Sequence, residues 1–321
     1  MDATVKALDE TRGAADGNVP VVSVVVPCFN GGRFLDGLMA SLDRQTLRAF
    51  ETIIVNDGST DEATLRKLAT FEGRARIIHQ NNRGLSAARN AGIAAARCEF
   101  VAVLDCDDTF EPPFLEEASA LLRSAPKEVA VAVSHLRLVG AVQGLVERYF
   151  NPFDLLFTNT MHSGVMVRKA SWQAVGGYDE TMLQGYEDWE FYLRLSLAGY
   201  RAVEIPKYYY NYALATGGML LGRSSQVHAA LWRSMRAKHA AHYTPLAIVR
   251  RWRTARGDNS HVSLAKAFIV LGLAKMLPDA WYSRLIMEHR RRKLLEGRLP
   301  TDAGPVSYDY PGVDGTVSHS R

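Results

Sequence analysis

A chain of 321 residues, 47% hydrophobic and 22% charged with no excess of glycine or proline, is an ordinary globular sequence, with enough apolar material for one large domain and a tail or for two modest domains. Three cysteines, Cys28, Cys98 and Cys106, are too few and too irregular for a disulfide framework or zinc site; no apolar stretch reaches the roughly 20 residues of a membrane span, and the polar segment 1–18 is no signal peptide, so a reducing, cytoplasmic setting is expected. The net charge of +4 is uneven: residues 244–299 hold 12 Lys/Arg against 4 Asp/Glu, and that basic segment on a mildly acidic body suggests an anionic surface as partner.

Residues 1–18 read as a disordered leader. The β-branched run Val21–Val26, stopped by Pro27, predicts a buried parallel strand. Phe34, Leu35, Leu38, Met39 and Leu42 follow at helical spacing. A second strand, Glu51–Val55, runs into Asn56-Asp57-Gly58-Ser59, and a third, Arg76–His79, into Asn81-Asn82-Arg83-Gly84. The Ala-rich stretch Leu85–Arg97 is helical by propensity. A fourth strand, Phe100–Leu104, meets Asp105-Cys106-Asp107-Asp108. Leu115–Arg123 predicts a helix and Val129–Val133 a strand. Beyond them come a strand at Ser163–Arg168, a turn at Gly176–Asp179, an amphipathic helix at Glu187–Leu197 and a short strand at Val203–Ile205. After about residue 220 the chain turns helical and basic, and 301–321 reads as a disordered tail.

Strands alternating with helices predict an α/β fold, a mostly parallel sheet with helices on both faces and a helical basic C-terminal extension. The expected divisions are 1–18, a catalytic domain at 19–220 with halves 19–125 and 126–220, a helical region at 221–300, and the tail. Ligands of such sheets bind beyond the carboxyl ends of the strands. The polar clusters at Asn30, Asp57 and Asp105–Asp108 each follow a strand end, so three clusters point to one edge.

Three carboxylates within four positions at Asp105–Asp108 repel one another, and a hard divalent cation relieves the repulsion; Mg²⁺ and Mn²⁺ take such oxygens together with substrate phosphates. The competing reading is a solvated acidic turn capping the next helix. Asp57 either accepts from the N–H of a base or makes an Asx turn. Glu187-Asp188 either serves the dipole of the helix it opens or supplies a general base. Trp189 either stacks on a sugar or packs in the core. His162 reads as structural more readily than as catalytic, and Tyr208-Tyr209-Tyr210 as an edge strand or a wall of an acceptor site.

In this order the motifs carry a resemblance. Val24-Val25-Val26-Pro27-Cys28-Phe29-Asn30, Val55–Asp61, Asn82–Gly92, Leu104–Asp108, Gly176–Glu180 and Glu187–Glu190 resemble the successive blocks of inverting glycosyltransferase family 2, over about Val21 to Tyr212. The resemblance implies a GT-A (Rossmann-like) fold, a nucleotide-sugar donor and inversion at the anomeric carbon. It implies that Pro27 and Asn30 line the nucleotide pocket, that Asp57 reads the base, that Arg89 sits on the donor side, and that Asp105 contacts the ribose or sugar. Asp107 would bind Mn²⁺ or Mg²⁺ and Asp188 would be the base, with Gly177, Tyr178, Glu187 and Trp189 on the acceptor side. A UDP-sugar is the expected donor, and a saccharide or lipid-linked molecule the expected acceptor, in cell-surface polysaccharide or glycolipid assembly. An anionic membrane surface is a further expected partner, on its inner face; nucleic acid is not.

One position departs from the pattern. Tyr210-Asn211-Tyr212 has Asn where many relatives have a diphosphate-holding Arg, and Arg223 is the candidate substitute. Two other readings remain open. A nucleotidyltransferase would carry a Gly-rich basic loop after the first strand, where this chain has Cys28-Phe29-Asn30-Gly31-Gly32. A non-catalytic nucleotide-sugar binding protein would lack the base at Glu187-Asp188.

Overall fold

The computed structural model describes residues 19–140, 143–214, 227–255 and 260–296. The expected leader 1–18, Arg223, the boundary near 220 and the tail 301–321 lie outside the described residues. The strands are β1 (Val22–Cys28), β2 (Phe50–Asp57), β3 (Arg76–Gln80), β4 (Phe100–Val103), β5 (Thr109–Phe110), β6 (Val129–Gly140), β7 (Gly144–Val146), β8 (Met166–Arg168) and β9 (Arg201–Leu214). They make one sheet in the order β3-β2-β1-β4-β8-β6-β9-β5, with β7 on β6.

The expected parallel pairing holds from β3 to β4. There each strand is followed by a crossover helix, among them α1 (Leu35–Asp43), α2 (Glu62–Ala69) and α3 (Leu85–Ala95). Beyond β4 the sheet is mixed: β8 is antiparallel to β4 and β6, β9 is parallel to β6, and β5 is antiparallel to β9. From β6 to β8 the chain returns through loops and the short β7, and such returns permit antiparallel neighbours.

β1 is buried along its whole length. Its alternate side chains feed two cores: Val25 joins Val55, Val103 and Phe191 on one face, and Val24 and Val26 join Leu35, Leu42 and Phe114 on the other. α4 (Phe114–Ser124) and α1 cover the second face. α3 covers the first so closely that a Cβ on Gly92 would stand 2.3 Å from Val25 Cγ1.

β9 is far longer than the strand expected at Val203–Ile205. Pro206, which has no N–H to give, hides its continuation. The β6 register passes from Ser134↔Ile205 to His135↔Tyr208, so Pro206 and Lys207 bulge out and pairing resumes. Tyr208–Tyr210 therefore belongs to a strand flanked on both sides, not to a sheet edge. α5 is Lys169–Ala174, and α6 (Glu187–Leu197) begins and ends where expected. α6 is buried nearly all round rather than amphipathic, because later helices cover its outer side.

Those helices are α7 (His228–Lys238), α8 (Pro245–Ala255), α9 (Leu264–Met276) and α10 (Asp279–Glu296). Trp232, Met235, Ile248, Ala267 and Tyr282 join the same core cluster as Trp189 and Phe191. Glu190 of α6, fully buried, accepts from Arg194 at 2.8 and 2.9 Å and from His239 at 3.1 Å, and pairs with Lys238 at 2.5 Å. Burial alone would raise its carboxyl; these donors outweigh burial and hold it at about 2. The basic C-terminal region is thus fastened to the body by both apolar and ionic contacts.

Candidate active site

The carboxyl ends of β1, β2 and β4 are adjacent, which places Pro27, Asn30, Asp57 and Asp105–Asp108 along one edge. Pro27 is buried at the end of β1. Asn30, at φ 52, clamps two loops: its Oδ1 accepts from the Thr60 and Asp61 amides at 2.9 and 3.0 Å, and its own amide donates to Ser59 Oγ at 2.9 Å. Asp57 accepts from Gln80 Nε2 at 2.7 Å and from the Arg83 and Gly84 amides at 2.9 Å each. Gly58 (φ 71) allows the loop to approach, since a Cβ there would meet the Asn82 amide nitrogen at 2.5 Å. Asp57 therefore shapes the Asn81–Gly84 loop.

The three acidic side chains after β4 have three different surroundings. Asp105 is held by Arg89, whose Nη2 donates to both oxygens at 2.7 and 2.9 Å. Asp108 is buried, accepting from the Tyr210 hydroxyl and, at 2.7 Å, from the Ala213 amide. Burial and the neighbouring Asp107 and Asp105 push its carboxyl well above the ordinary range, so it is a structural member of the β5–β9 edge. Among the described residues Asp107 has no hydrogen-bond donor from another residue. Burial and Asp105 raise it to about 6, against the opposing charges of Arg33 and Arg89. A carboxylate left with spare lone pairs among like charges fits a hard cation that takes its remaining ligands from phosphate and water. No group of three or more His, Cys, Asp or Glu fit to hold a metal occurs among the described residues.

Arg89 joins the two sides of the site. It is 1% exposed, and its Nη1 donates to Glu187 Oε1 at 2.7 Å while Nη2 holds Asp105. Its guanidinium also lies 5.4 Å from the Tyr178 ring centroid. Glu187 is thereby committed to Arg89. Asp188, the other carboxylate of the pair, accepts from Asn159 Nδ2 on Oδ2 at 3.0 Å and from the Trp189 amide on Oδ1 at 2.6 Å. Burial and Glu187 raise Asp188 to about 6, with Arg89 opposing. Tyr186, which precedes the pair, adopts φ 67. That is an unusual backbone for a bulky residue, and its hydroxyl meets His228 Nδ1 of α7 at 2.6 Å.

Other residues expected here prove to be supports. Trp189 is fully buried and donates its indole N–H to the Leu155 carbonyl at 2.7 Å, so it has no open face for a sugar; core packing has taken it. Gly177, at φ 73, abuts Asn90 and Trp172. Tyr178 is buried and stacks on Phe191 at 4.4 Å. His162 stacks on Tyr210 and donates its Nε2–H to the Ser134 carbonyl, and burial lowers it to about 3, so it is neutral and structural. Asn211 is buried and donates to Thr109 Oγ1 and Glu111 Oε1 across β5 and β9; no phosphate clamp stands at that position.

Three contributors went unassigned in the sequence. Asn90 lies inside a quoted motif, and its amide fixes Tyr178 through both backbone atoms, at 2.8 and 2.9 Å. Asn159 and His228 reach the site only through tertiary packing, and no local signal marks them.

The profile of Glycosyl transferase family 2 matches residues 23–163. The uncharacterized glycosyltransferase YwdF of Bacillus subtilis is 30% identical over 204 residues, covering 61% of this chain and 75% of that protein. Chondroitin synthase of Escherichia coli is 29% identical over 191 residues, covering 56% of this chain and 27% of the synthase. Two further curated relatives, 40% and 45% identical, are matched over 33% and 27% of their own length; the chain spans about a third of them. Among solved structures, S. aureus TarS 1–349 in complex with UDP-GlcNAc superposes with a TM-score of 0.60 at 20% identity, covering 85% of this chain and 92% of that one. That likeness establishes the GT-A fold.

Proposed function

The chain belongs to glycosyltransferase family 2, and from that premise we propose that it transfers a sugar, with inversion, from a nucleotide-diphosphate donor to an acceptor hydroxyl. The observation that carries the reading is the Asp105–Arg89–Glu187 bridge, which ties the strand-end carboxylates to a helix start whose Asp188 sits at about 6. A group with that value is ionised at neutral pH yet basic enough to accept the acceptor proton. Asp188 takes that proton as the acceptor oxygen attacks the anomeric carbon, and the nucleoside diphosphate leaves from the opposite side. Asn159 and the Trp189 amide hold Asp188 in position. Pro27, Asn30 and Asp57 line the nucleotide pocket, and Asp105 meets the ribose or sugar. Asp107 would hold Mn²⁺ or Mg²⁺, which when bound neutralises charge on the departing diphosphate.

The complex of TarS with UDP-GlcNAc favours a UDP-sugar as donor here, and the kinship with chondroitin synthase favours an acceptor in polysaccharide assembly. Chelation by EDTA is expected to abolish transfer, and Mn²⁺ or Mg²⁺ to restore it. Asp107→Ala should lose activity while its thermal unfolding stays close to wild type. Full activity in EDTA would remove the metal assignment.

The acceptor side of the proposal includes an anionic membrane at its inner face. No described helix is long and apolar enough to cross a membrane. Leu271 and Leu273 of α9 pack on the core. Ile269, Met276, Trp281 and Leu285 of α9 and α10 are exposed among the exposed Lys266, Lys275 and Arg284. Each such cation contributes roughly 1 kcal/mol near an anionic surface, enough together for weak, salt-sensitive attachment. The protein should co-sediment with phosphatidylserine vesicles at low salt and release at high salt, and Trp281→Ala with Lys275→Glu should weaken both. Sedimentation indifferent to lipid charge would rule this surface out.

A further inference from the structure

Cys28 and Cys106 have no part in the chemistry above, yet the fold brings them together. β1 and β4 are parallel neighbours with Val25 opposite Val103, and the Leu104 amide continues the pairing by donating to the Val25 carbonyl at 3.0 Å. Three positions beyond Val25 is Cys28, and three beyond Val103 is Cys106. Both thiols press on Gly31, where a Cβ would stand 2.6 Å from Cys106 Sγ and 3.4 Å from Cys28 Sγ. Both cysteines are free, Cys28 buried and Cys106 partly exposed. Cys98 lies elsewhere, just before β4 begins, with its thiol on the Pro20 carbonyl.

We infer that Cys28 and Cys106 form a reversible disulfide under a peroxide oxidant, and that this bond disables the donor site. Cys106 stands between Asp105 and Asp107, so drawing its sulfur onto Cys28 displaces the segment that carries both carboxylates. In a reducing compartment such a bond is transient and sensing rather than structural. The step balances. One of the two sulfurs loses its proton and attacks one peroxide oxygen; an S–O bond forms, the O–O bond breaks, and the other oxygen leaves as water. The other sulfur then loses its proton and attacks the first; the S–S bond forms, the S–O bond breaks, and a second water leaves. Two thiols are oxidised by two electrons in total and one peroxide is reduced to two waters. The loss of donor binding rests on the reading that Asp105 and Asp107 face the donor; the crosslink itself does not.

The test uses the full chain treated with hydrogen peroxide, then digested without reductant and analysed by mass spectrometry. Binding of UDP, GDP and dTDP with Mn²⁺ is followed by calorimetry before and after oxidation. The expected results are a Cys28–Cys106 peptide pair lighter by two hydrogens and a fall in nucleotide affinity of at least about tenfold, as misplacement of site groups produces. Dithiothreitol should restore both, and Cys28→Ser should bind nucleotide normally and resist the oxidant. Absence of the crosslinked pair, a crosslink through Cys98, or a crosslinked protein that binds nucleotide as well as the reduced one overturns the inference. A reduced protein that binds no nucleotide removes the donor reading and the disabling effect with it, while the peptide map still decides whether the disulfide forms.

Discussion

Asp188→Asn is expected to lower turnover by roughly 10²–10⁴, the range for losing a general base, while donor affinity stays close to wild type. The split follows from position: Asp188 lies at the start of α6 with Asn159 and the Trp189 amide, whereas the donor-side groups hang from the ends of β1, β2 and β4. The sign of the pH dependence follows from the raised carboxyl. Asp188 must be ionised to accept a proton, so wild-type turnover is full above about 6 and falls below it, by about tenfold per pH unit for one proton. In the variant that acid limb should vanish together with most of the rate. The amide would set one N–H against the Asn159 donor, a local cost of about 1–3 kcal/mol, so thermal unfolding must accompany the kinetics. Calorimetry with nucleotide and a transfer assay across pH 5 to 8 decide the matter. Near-normal turnover with an intact acid limb would place the base elsewhere.

The strand-end clusters were legible in the sequence because they are local. Pro27, Asp57 and Asp105 each end a run of β-branched or apolar residues, and parallel topology then brings those ends to one edge. The helix at Glu187–Leu197 was legible for the same reason. What escaped depended on contacts distant along the chain. The surroundings that divide Asp105, Asp107 and Asp108 come from Arg89, Tyr210 and Ala213, and no spacing within the motif distinguishes the three. Trp189 beside a catalytic pair reads equally as a sugar platform or a core residue until α7 is seen to cover its helix. β9 was cut short because Pro206 stops a strand in local reasoning, whereas here the chain bulges past it. Asn159 sits in a loop with no motif and becomes relevant only where α6 passes.

Arg89→Met is expected to cost about 3–5 kcal/mol of folding stability, the range for breaking a buried ion pair by removing one partner. Arg89 is almost wholly buried and holds Asp105 through two hydrogen bonds and Glu187 through a third. Methionine fills similar volume but leaves both carboxylates without a counter-charge. Asp105 retains partial access to solvent, which favours the lower end of the range; Glu187 does not. Arg89→Lys should recover only part of the loss, because one ammonium cannot reproduce a fork that reaches two carboxylates on opposite sides. The substitution also has a kinetic signature separable from stability. Arg89 opposes the rise of Asp188, so removing it should raise the Asp188 carboxyl further and move the acid limb of turnover to higher pH. Denaturant unfolding gives the first number and a pH–rate profile on the folded fraction gives the second. Adding Glu187→Gln to Arg89→Met should return part of the lost stability, since it discharges one of the stranded carboxylates. If Arg89→Met unfolds like wild type and its acid limb does not move, Arg89 does not bridge the donor and acceptor sides, and the proposed coupling between Asp105 and the helix bearing Asp188 fails with it.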